Sequence, residues 1–188
     1  MNIVNQIEKE VIKRCNSASN VYGDGAWAHH IKSVVDNAII LAGQYNADLE
    51  IVTLAALLHD VASVTKEEYY EEHHIIGAQI AEELLSDLKY PKAKIEHIKK
   101  CILNHRGSKI LNKLSIEEIC IADADAMSHF DNMPSLFSLV YKEKKMSIEA
   151  GAKFVQDKLK RSYNKLSTGS KAFYQQKYEH AMSIFEKL

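Results

Sequence analysis

The chain has 188 residues, of which 46% are apolar and 26% are charged, and its formal charge is −1. These values are ordinary for a globular protein, and the interleaving of acidic with basic residues argues against a nucleic-acid polymer as partner. No apolar run approaches the roughly 18 residues of a membrane span, and the first residues lack the pattern of a signal peptide. Since the three cysteines are also widely spaced, we expect one cytoplasmic domain over residues 1–188, without disulfides or a membrane partner.

Helical periodicity begins with the first residues and dominates the whole chain. The pattern predicts helices over about residues 2–18 and 26–46. Asp48 is placed to cap a third helix over LEIVTLAALLHDVAS, residues 49–63. Because this third segment is apolar on nearly all sides, we expect it at the centre of a bundle.

Capping signals mark the starts of later helices. Thr65 and Glu68 form a capping-box pattern ahead of a helix that runs through residues 71–88 to Tyr90, and Ser115 and Glu118 form another ahead of residues 116–130. Pro91 opens a helix that ends near residue 105. Three amphipathic segments, about 132–145, 147–166 and 170–187, complete a predicted all-α, single-domain bundle of eight or nine helices.

Ionisable residues interrupt the apolar faces of these helices. Five histidines share helical stripes with apolar residues: His30, His59, His73, His74 and His105. Three aspartates fall inside strongly apolar helices: Asp60, Asp123 and Asp125. Burying such groups without partners is costly, so they need one another or a cation. A shared divalent metal ion would satisfy them together.

The types of donor restrict the choice of metal. Imidazole nitrogen and carboxylate oxygen suit Mn, Fe, Mg, Co, Ni or Zn, whereas the lack of a close cysteine pair argues against a closed structural zinc site. Adjacent His59 and Asp60 point about 100° apart around a helix, so they reach one ion together only from a helix end or from two sides of a pocket. The histidines with polar neighbours are expected at the surface: His97, His129 and His180.

The order of these residues resembles the HD-domain superfamily of metal-dependent phosphohydrolases. The matching segments are His30 in HHIKSVV, His59-Asp60 in LLHDVA, His73 in HHIIGAQIAEELL, His105 in ILNHRG and Asp125 in ADADAM. The chain is most similar to the small bacterial HD hydrolases that include nucleoside triphosphate pyrophosphohydrolases. The resemblance implies a metal-binding core over about residues 22–130, with the C-terminal helices, about 131–188, packed on it.

The resemblance also implies roles for the matching residues. The expected metal ligands are His30, His59, Asp60 and Asp125. The expected catalytic residues are Asp60, His73 and His105, and a second ion is possible through His73, His74 or His105. Periodicity alone favours Asp123 as the ligand from its helix, whereas the family pattern favours Asp125, so Asp123 stays a candidate for a supporting role.

Two positions depart from the family pattern. Ser33 stands where relatives often carry an arginine, and HDVAS stands where they often carry HD-x-G-K. A cation that helps to hold phosphate is therefore expected from another position. The candidates are Lys66, which we include among the expected catalytic residues, Arg106 and Lys109.

The resemblance implies hydrolysis of a small phosphorylated substrate, either a nucleotide or another small phosphate ester or anhydride, by attack of metal-bound hydroxide on phosphorus. In such a mechanism Asp60 accepts a proton from the water, while His73, His74 and His105, when protonated, donate to the phosphoryl oxygens or the leaving group. Two alternatives stay open: a nucleotide-sensing module with little turnover, and a di-iron oxygenase of the HD fold. A homodimer is also left open.

Overall fold

The computed structural model describes residues 2–20, 22, 25–106 and 115–186. Over these residues the fold is all-α, as predicted. The α-helices are α1 (Ile3–Cys15), α2 (Lys32–Tyr45), α3 (Leu49–Leu58), α4 (His73–Asp87), α5 (Lys92–Asn104), α6 (Ile116–Asp131), α7 (Met133–Ser138), α8 (Ile148–Lys165) and α9 (Thr168–Ser183). Short π-helical segments cover Trp27–Ile31 and Leu139–Glu143.

Helix α3 lies at the centre of the bundle, as its all-round apolar sequence predicts. Residues 51–58 are all buried, and the helix packs against α1, α2, α5 and α6. Asp48 caps it by accepting hydrogen bonds from the backbone N–H groups of Glu50 and Ile51, at 3.0 and 3.1 Å. Because the last turns of α3 are buried, the residues that follow Leu58 have a fixed position in the bundle.

The end of α3 differs from the prediction, because the helix stops at Leu58 and not at residue 63. His59 and Asp60 belong to the turns that follow, over residues 59–65. The two side chains therefore project from the end of a buried helix. This is one of the two arrangements that would let neighbouring residues reach one ion.

The predicted capping box at residues 65–68 is wrong. The Thr65 hydroxyl donates to the Val61 carbonyl at 2.6 Å and accepts from Arg14 of α1 at 2.9 Å, so it is not available to cap. Only a short 3-10 turn, Glu67–Tyr69, forms there, and α4 begins at His73. The second box is confirmed in part, because Ser115 accepts from the backbone N–H of Glu118 at 3.2 Å.

The remaining helices surround α3. Helices α4 and α5 pack against each other on one side, and α6 packs against α2, α5 and α8. Helix α8 therefore packs on the bundle through its contact with α6. None of the described helices is both long enough and apolar enough to cross a membrane.

Candidate metal centre

Histidine and aspartate side chains from separate elements meet beyond the end of α3. His30 comes from the π-helical segment before α2, and His59 and Asp60 from the turn after α3. His73 begins α4, His105 follows the last residue of α5, and Asp125 lies in α6. A π-helical segment is often found at a functional site, because it redirects side chains that a regular helix would place elsewhere.

One group of donors forms around His30. Its Nε2 lies 3.2 Å from His59 Nε2, 3.1 Å from Asp60 Oδ2 and 3.7 Å from Asp125 Oδ1. His59 Nε2 lies 3.5 Å from the same Asp60 oxygen. The four residues expected to bind a metal are thus brought together.

A second group uses the other oxygen of Asp60. Its Oδ1 lies 3.6 Å from His73 Nε2 and 3.8 Å from His105 Nε2, and these two nitrogens are 3.3 Å apart. Asp60 therefore lies between two histidine pairs and offers one oxygen to each. The second group matches the expectation that His73 and His105 act close to the first set of donors.

The hydrogen bonds at Nδ1 determine which nitrogen of each ring faces the centre. Three rings have Nδ1 beside a backbone carbonyl three residues earlier, and a carbonyl only accepts, so Nδ1 carries the proton. The distances are 2.7 Å from His59 to Ala56, 2.6 Å from His73 to Tyr70 and 2.6 Å from His105 to Ile102. In their neutral forms these rings direct an unprotonated Nε2 toward Asp60.

His30 has the same orientation through a side chain. The Ser128 hydroxyl donates to the Asp125 carbonyl at 2.7 Å, so its oxygen accepts from His30 Nδ1 at 3.2 Å. Partners of this kind at Nδ1 orient the histidine ligands of metal sites.

The donor set fits a divalent cation. An ion bound at about 2.1 Å by nitrogen and oxygen donors keeps neighbouring donors roughly 3.0–3.5 Å apart, in octahedral or tetrahedral geometry. The separations within each group are close to this range. In addition, the Nε2 atoms of His73 and His105 lie 3.3 Å apart, and two neutral rings with Nδ1–H would repel there unless a cation lies between them.

The pKa shifts at the centre come from burial and from the interaction of the histidines with Asp60. Burial lowers the pKa of His59 and lowers that of His105 to about 3, so both rings are neutral near pH 7. Burial also opposes charge on His30, but the hydrogen bond and the charge of Asp60 outweigh it and raise the pKa of His30. The neighbouring histidines hold the pKa of Asp60 well below its usual range despite burial.

The two candidate aspartates of α6 have different surroundings. Asp123 is fully buried and accepts from the backbone N–H and the hydroxyl of Ser167, at 3.0 and 2.5 Å. Asp125 instead directs Oδ1 toward His30 and pairs through Oδ2 with Lys165 of α8 at 2.5 Å. The structure therefore brings Asp125 to the centre, whereas Asp123 ties the start of α9 to α6.

His129 was expected at the surface, and this prediction is wrong. The residue is 9% exposed, and its ring stacks on that of His30 with a centroid distance of 5.6 Å. Its Nε2 lies 4.0 Å from Asp125 Oδ1, and its Nδ1 lies 3.1 Å from the Ser162 hydroxyl. The spacing of four residues from Asp125, which places both on one face of α6, was the signal in the sequence.

Other candidate residues lie farther from the centre. Exposed Lys66 places its ammonium over the ring of Tyr69 and, within the described ranges, makes no ion pair with Asp60 or Asp125. Its catalytic role stays a prediction. Arg106 is held by the carbonyl and the carboxylate of Glu71, and Lys109 lies outside the described residues. His74 is buried beside His73 but belongs to none of the donor groups found in the described residues.

The centre is open to solvent on one side. The side chain of Asp60 keeps 22% of its surface exposed and that of His30 keeps 26%, whereas His59 is fully buried. A small molecule can therefore reach the shared carboxylate.

Comparison with known proteins assigns the family. Residues 27–129, more than half of the chain, match the HD domain family, and this protein belongs to it. HD domains bind divalent metals, which agrees with the His/Asp groups described above. Membership supports a metal-dependent phosphohydrolase in general terms.

Individual relatives agree on the fold. Bacillus subtilis YpgQ, solved in complex with ADP, superposes with a TM-score of 0.69 at 19% identity, covering 98% of this chain and 94% of that one. An HD-superfamily hydrolase from Bacillus thuringiensis gives a TM-score of 0.69 at 18% identity, covering 98% and 93%.

A further relative is similar in sequence over part of its length. The tRNA (cytidine(56)-2'-O)-methyltransferase of Thermoplasma volcanium is 28% identical over 130 residues, which are 66% of this chain. The match spans only 38% of that methyltransferase.

Proposed function

We propose that this protein is a divalent-metal-dependent phosphohydrolase that acts on a nucleotide or another small phosphate ester or anhydride. The observation that carries the proposal is the convergence of four histidine Nε2 atoms on the two oxygens of Asp60, from His30, His59, His73 and His105. Imidazole nitrogens and carboxylate oxygens in this arrangement are suitable ligands for a divalent cation. Membership of the HD domain family supports hydrolysis as the use of that cation.

His30, His59, Asp60 and Asp125 would hold the ion. A bound divalent ion supplies two effects, a lowered pKa of coordinated water and neutralisation of charge on phosphoryl oxygens. A second ion would fit beside Asp60 Oδ1, where His73 and His105 meet. Asp60 would then contribute one oxygen to each position.

Residues of this chain would accept the proton of the attacking water. Asp60 is ionised and partly exposed, so it is placed to accept that proton from the solvent side. His105 donates Nδ1–H to Ile102 and faces Asp60 with Nε2, so it fits the role of a ligand better than that of a proton donor. This refines the role expected for His105 from the sequence.

A nucleotide is the proposed substrate class. YpgQ, which has a similar fold, was solved with ADP, and the resemblance to pyrophosphohydrolases points the same way. The test is a panel of nucleoside mono-, di- and triphosphates incubated with Mn, Mg, Co or Ni, with released phosphate distinguished from pyrophosphate. We expect metal-dependent release from at least one nucleotide. Tight nucleotide binding without product after prolonged incubation with Mn would favour the sensing module.

The two-group arrangement around Asp60 also favours one rival, a di-iron oxygenase, because a carboxylate between two histidine pairs can bridge two metals. Metal analysis after aerobic and anaerobic purification separates the two functions when it is combined with oxygen uptake on organic phosphonates or polyols. We expect no uptake above that of the apoprotein. Iron-dependent uptake with no phosphate release from the nucleotide panel would replace the hydrolase proposal.

A further inference from the structure

His129 lies beside the candidate metal centre but is outside the donor set that the family pattern implies. With His30 and Asp125 it forms one of the donor groups found in the described residues. Its ring stacks on that of His30, with a centroid distance of 5.6 Å and an angle of 23° between the ring planes. Rings aligned in this way can direct nitrogen atoms toward the same point.

The Oδ1 atom of Asp125 is the atom that both rings approach. It lies 3.7 Å from His30 Nε2 and 4.0 Å from His129 Nε2. The other oxygen, Oδ2, pairs with Lys165 of α8 at 2.5 Å, and this charge-assisted contact fixes the orientation of the carboxylate. Asp125 therefore keeps Oδ1 directed toward the two histidines.

The distance from His129 Nε2 to Asp125 Oδ1 fits two ligands of one ion. At 4.0 Å the two atoms are too far apart for a direct hydrogen bond, which requires about 2.7–3.2 Å. Two donors that each lie about 2.1 Å from one ion are at most roughly 4.2 Å apart, when they are on opposite sides of it. An ion placed between His129 and Asp125 would therefore contact both.

The hydrogen bond on the far side of the His129 ring leaves Nε2 facing the centre. Nδ1 lies 3.1 Å from the hydroxyl of Ser162 in α8. The other histidines of the centre are held in the same way, with a partner at Nδ1 and with Nε2 directed inward. Burial lowers the pKa of His129 well below its usual range, so the ring is neutral near pH 7, and the neutral ring is the form that binds metals.

We propose that His129 is a further ligand of the ion held by His30, His59, Asp60 and Asp125. A neutral imidazole has one lone pair, so the two donor groups that contain His30 must share one ion. His129 would then complete the side of that ion that faces α8. This inference rests on the proposed function for its metal ion alone, and not for its reaction.

A third imidazole changes the preference of the centre among metals. The ion would have three imidazole nitrogens and two carboxylate oxygens, a set that suits Fe, Co, Ni or Zn better than Mg. Five protein ligands also leave one open position on an octahedral ion. Water and a phosphoryl oxygen could then not both bind that ion, so one of them would bind at the second donor group, where His73 and His105 meet.

The test counts the histidine ligands of cobalt. The full chain, freed of metal, receives one equivalent of Co²⁺, and proton NMR detects the imidazole N–H of each ligand as a strongly shifted, exchangeable resonance. His129→Phe removes both ring nitrogens but keeps an aromatic ring to stack on His30. We expect this variant to lack one shifted resonance that the unmodified protein has. The same set of shifted resonances in both proteins would overturn the proposal.

Calorimetric titration measures the loss of the ligand as a loss of affinity. Removal of an outer partner of a ligand weakens metal binding by about 10–100-fold, so we expect His129→Phe to weaken Co²⁺ binding by roughly 100-fold or more. Binding of Mg²⁺, which prefers oxygen ligands, should weaken by a factor at least about ten times smaller. The matched control is His180→Phe, at an exposed position of α9, for which we expect a change within about twofold.

Further outcomes separate the possible failures. If thermal unfolding shows that His129→Phe does not fold, His129→Gln replaces it, with the same expected loss of one resonance and of affinity. A Co²⁺ affinity equal to that of His180→Phe would refute the ligand even if the protein hydrolyses nucleotides. Weakened binding and a lost resonance in a protein that hydrolyses no nucleotide would retain the ligand and refute the hydrolase.

Discussion

Two aspartates illustrate the difference between a polar cluster that is complete with protein atoms and one that could hold a metal ion. Asp131, at the end of α6, accepts hydrogen bonds from Asn37 at 2.6 Å and from the Tyr174 hydroxyl at 3.0 and 3.2 Å, and it pairs with Lys177. All three partners donate protons. The cluster is complete with protein atoms alone, and it holds α2 and α9 to α6.

Asp60 has the opposite surroundings. Its nearest neighbours are imidazoles whose N–H groups at Nδ1 are already engaged on the far side of each ring, so the inward atoms are acceptors when the rings are neutral. Both aspartates lie among polar groups and keep similar exposure, 22% for Asp60 and 23% for Asp131. The balance of donors and acceptors, and not burial or the number of polar groups, therefore distinguishes the site that could hold a cation.

The largest effect should come from removing one of the histidine or aspartate side chains that meet around Asp60. We expect His59→Ala or Asp60→Ala to lose bound metal and to reduce phosphatase activity to that of a blank, because each change removes a donor that no other side chain replaces. Metal content by mass spectrometry and phosphate release measure the two effects. Full activity in either variant would contradict the assignment of the centre.

Asp131→Asn supplies the matched control for those variants. It changes a carboxylate in the cluster that is already complete, so it should keep metal and activity while the free energy of unfolding falls by about 1 kcal/mol. Loss of metal from this variant would remove the distinction drawn between the two clusters.

Chelation should have the next largest effect. An ion at about 100 times its Kd stabilises the folded state by roughly 2.7 kcal/mol, and each kcal/mol shifts the Tm of a chain of this size by about 2–4 °C. We therefore expect EDTA to lower the Tm by roughly 5–10 °C in the unmodified protein and to leave that of Asp60→Ala unchanged. Identical melting curves with and without EDTA would show that the side chains around Asp60 hold no ion.

The smallest effect concerns the orientation of one ligand. Ser128→Ala removes the oxygen that accepts from His30 Nδ1, and the loss of such a partner weakens metal binding by about 10–100-fold. Ser135→Ala is the control, because its hydroxyl also donates to a carbonyl three residues earlier but has no histidine partner within the described ranges. Equal metal affinities in the two variants would mean that Ser128 does not orient His30.

Local signals in the sequence predicted most helix positions. Asp48 and Ser115 cap as expected, because a cap depends on backbone groups two or three residues away. Thr65 failed as a cap because Arg14, 51 positions earlier in the chain, contacts its hydroxyl. A pattern of four residues contains no information about a partner so far away.

The candidate centre also combines residues that local sequence signals predict with residues whose place depends on packing. The motif residues His30, His59, Asp60 and Asp125 could be selected from the sequence, since they follow the family pattern and interrupt apolar helix faces. His129 was misjudged because its immediate neighbours are polar, although the spacing from Asp125 placed it on the same face. Its burial follows from the packing of α8 on α6, which neighbouring residues in the sequence do not specify.

The sequence by itself determined the all-helical architecture, the family and the supply of imidazole and carboxylate donors, because helical periodicity and capping are local properties. Only the tertiary structure decided that Asp60 offers one oxygen to each of two histidine pairs and that Lys165 of α8 pairs with Asp125. Those facts depend on the rotation of each helix about its axis and on where α3 ends. Both are set by packing between segments far apart in the chain.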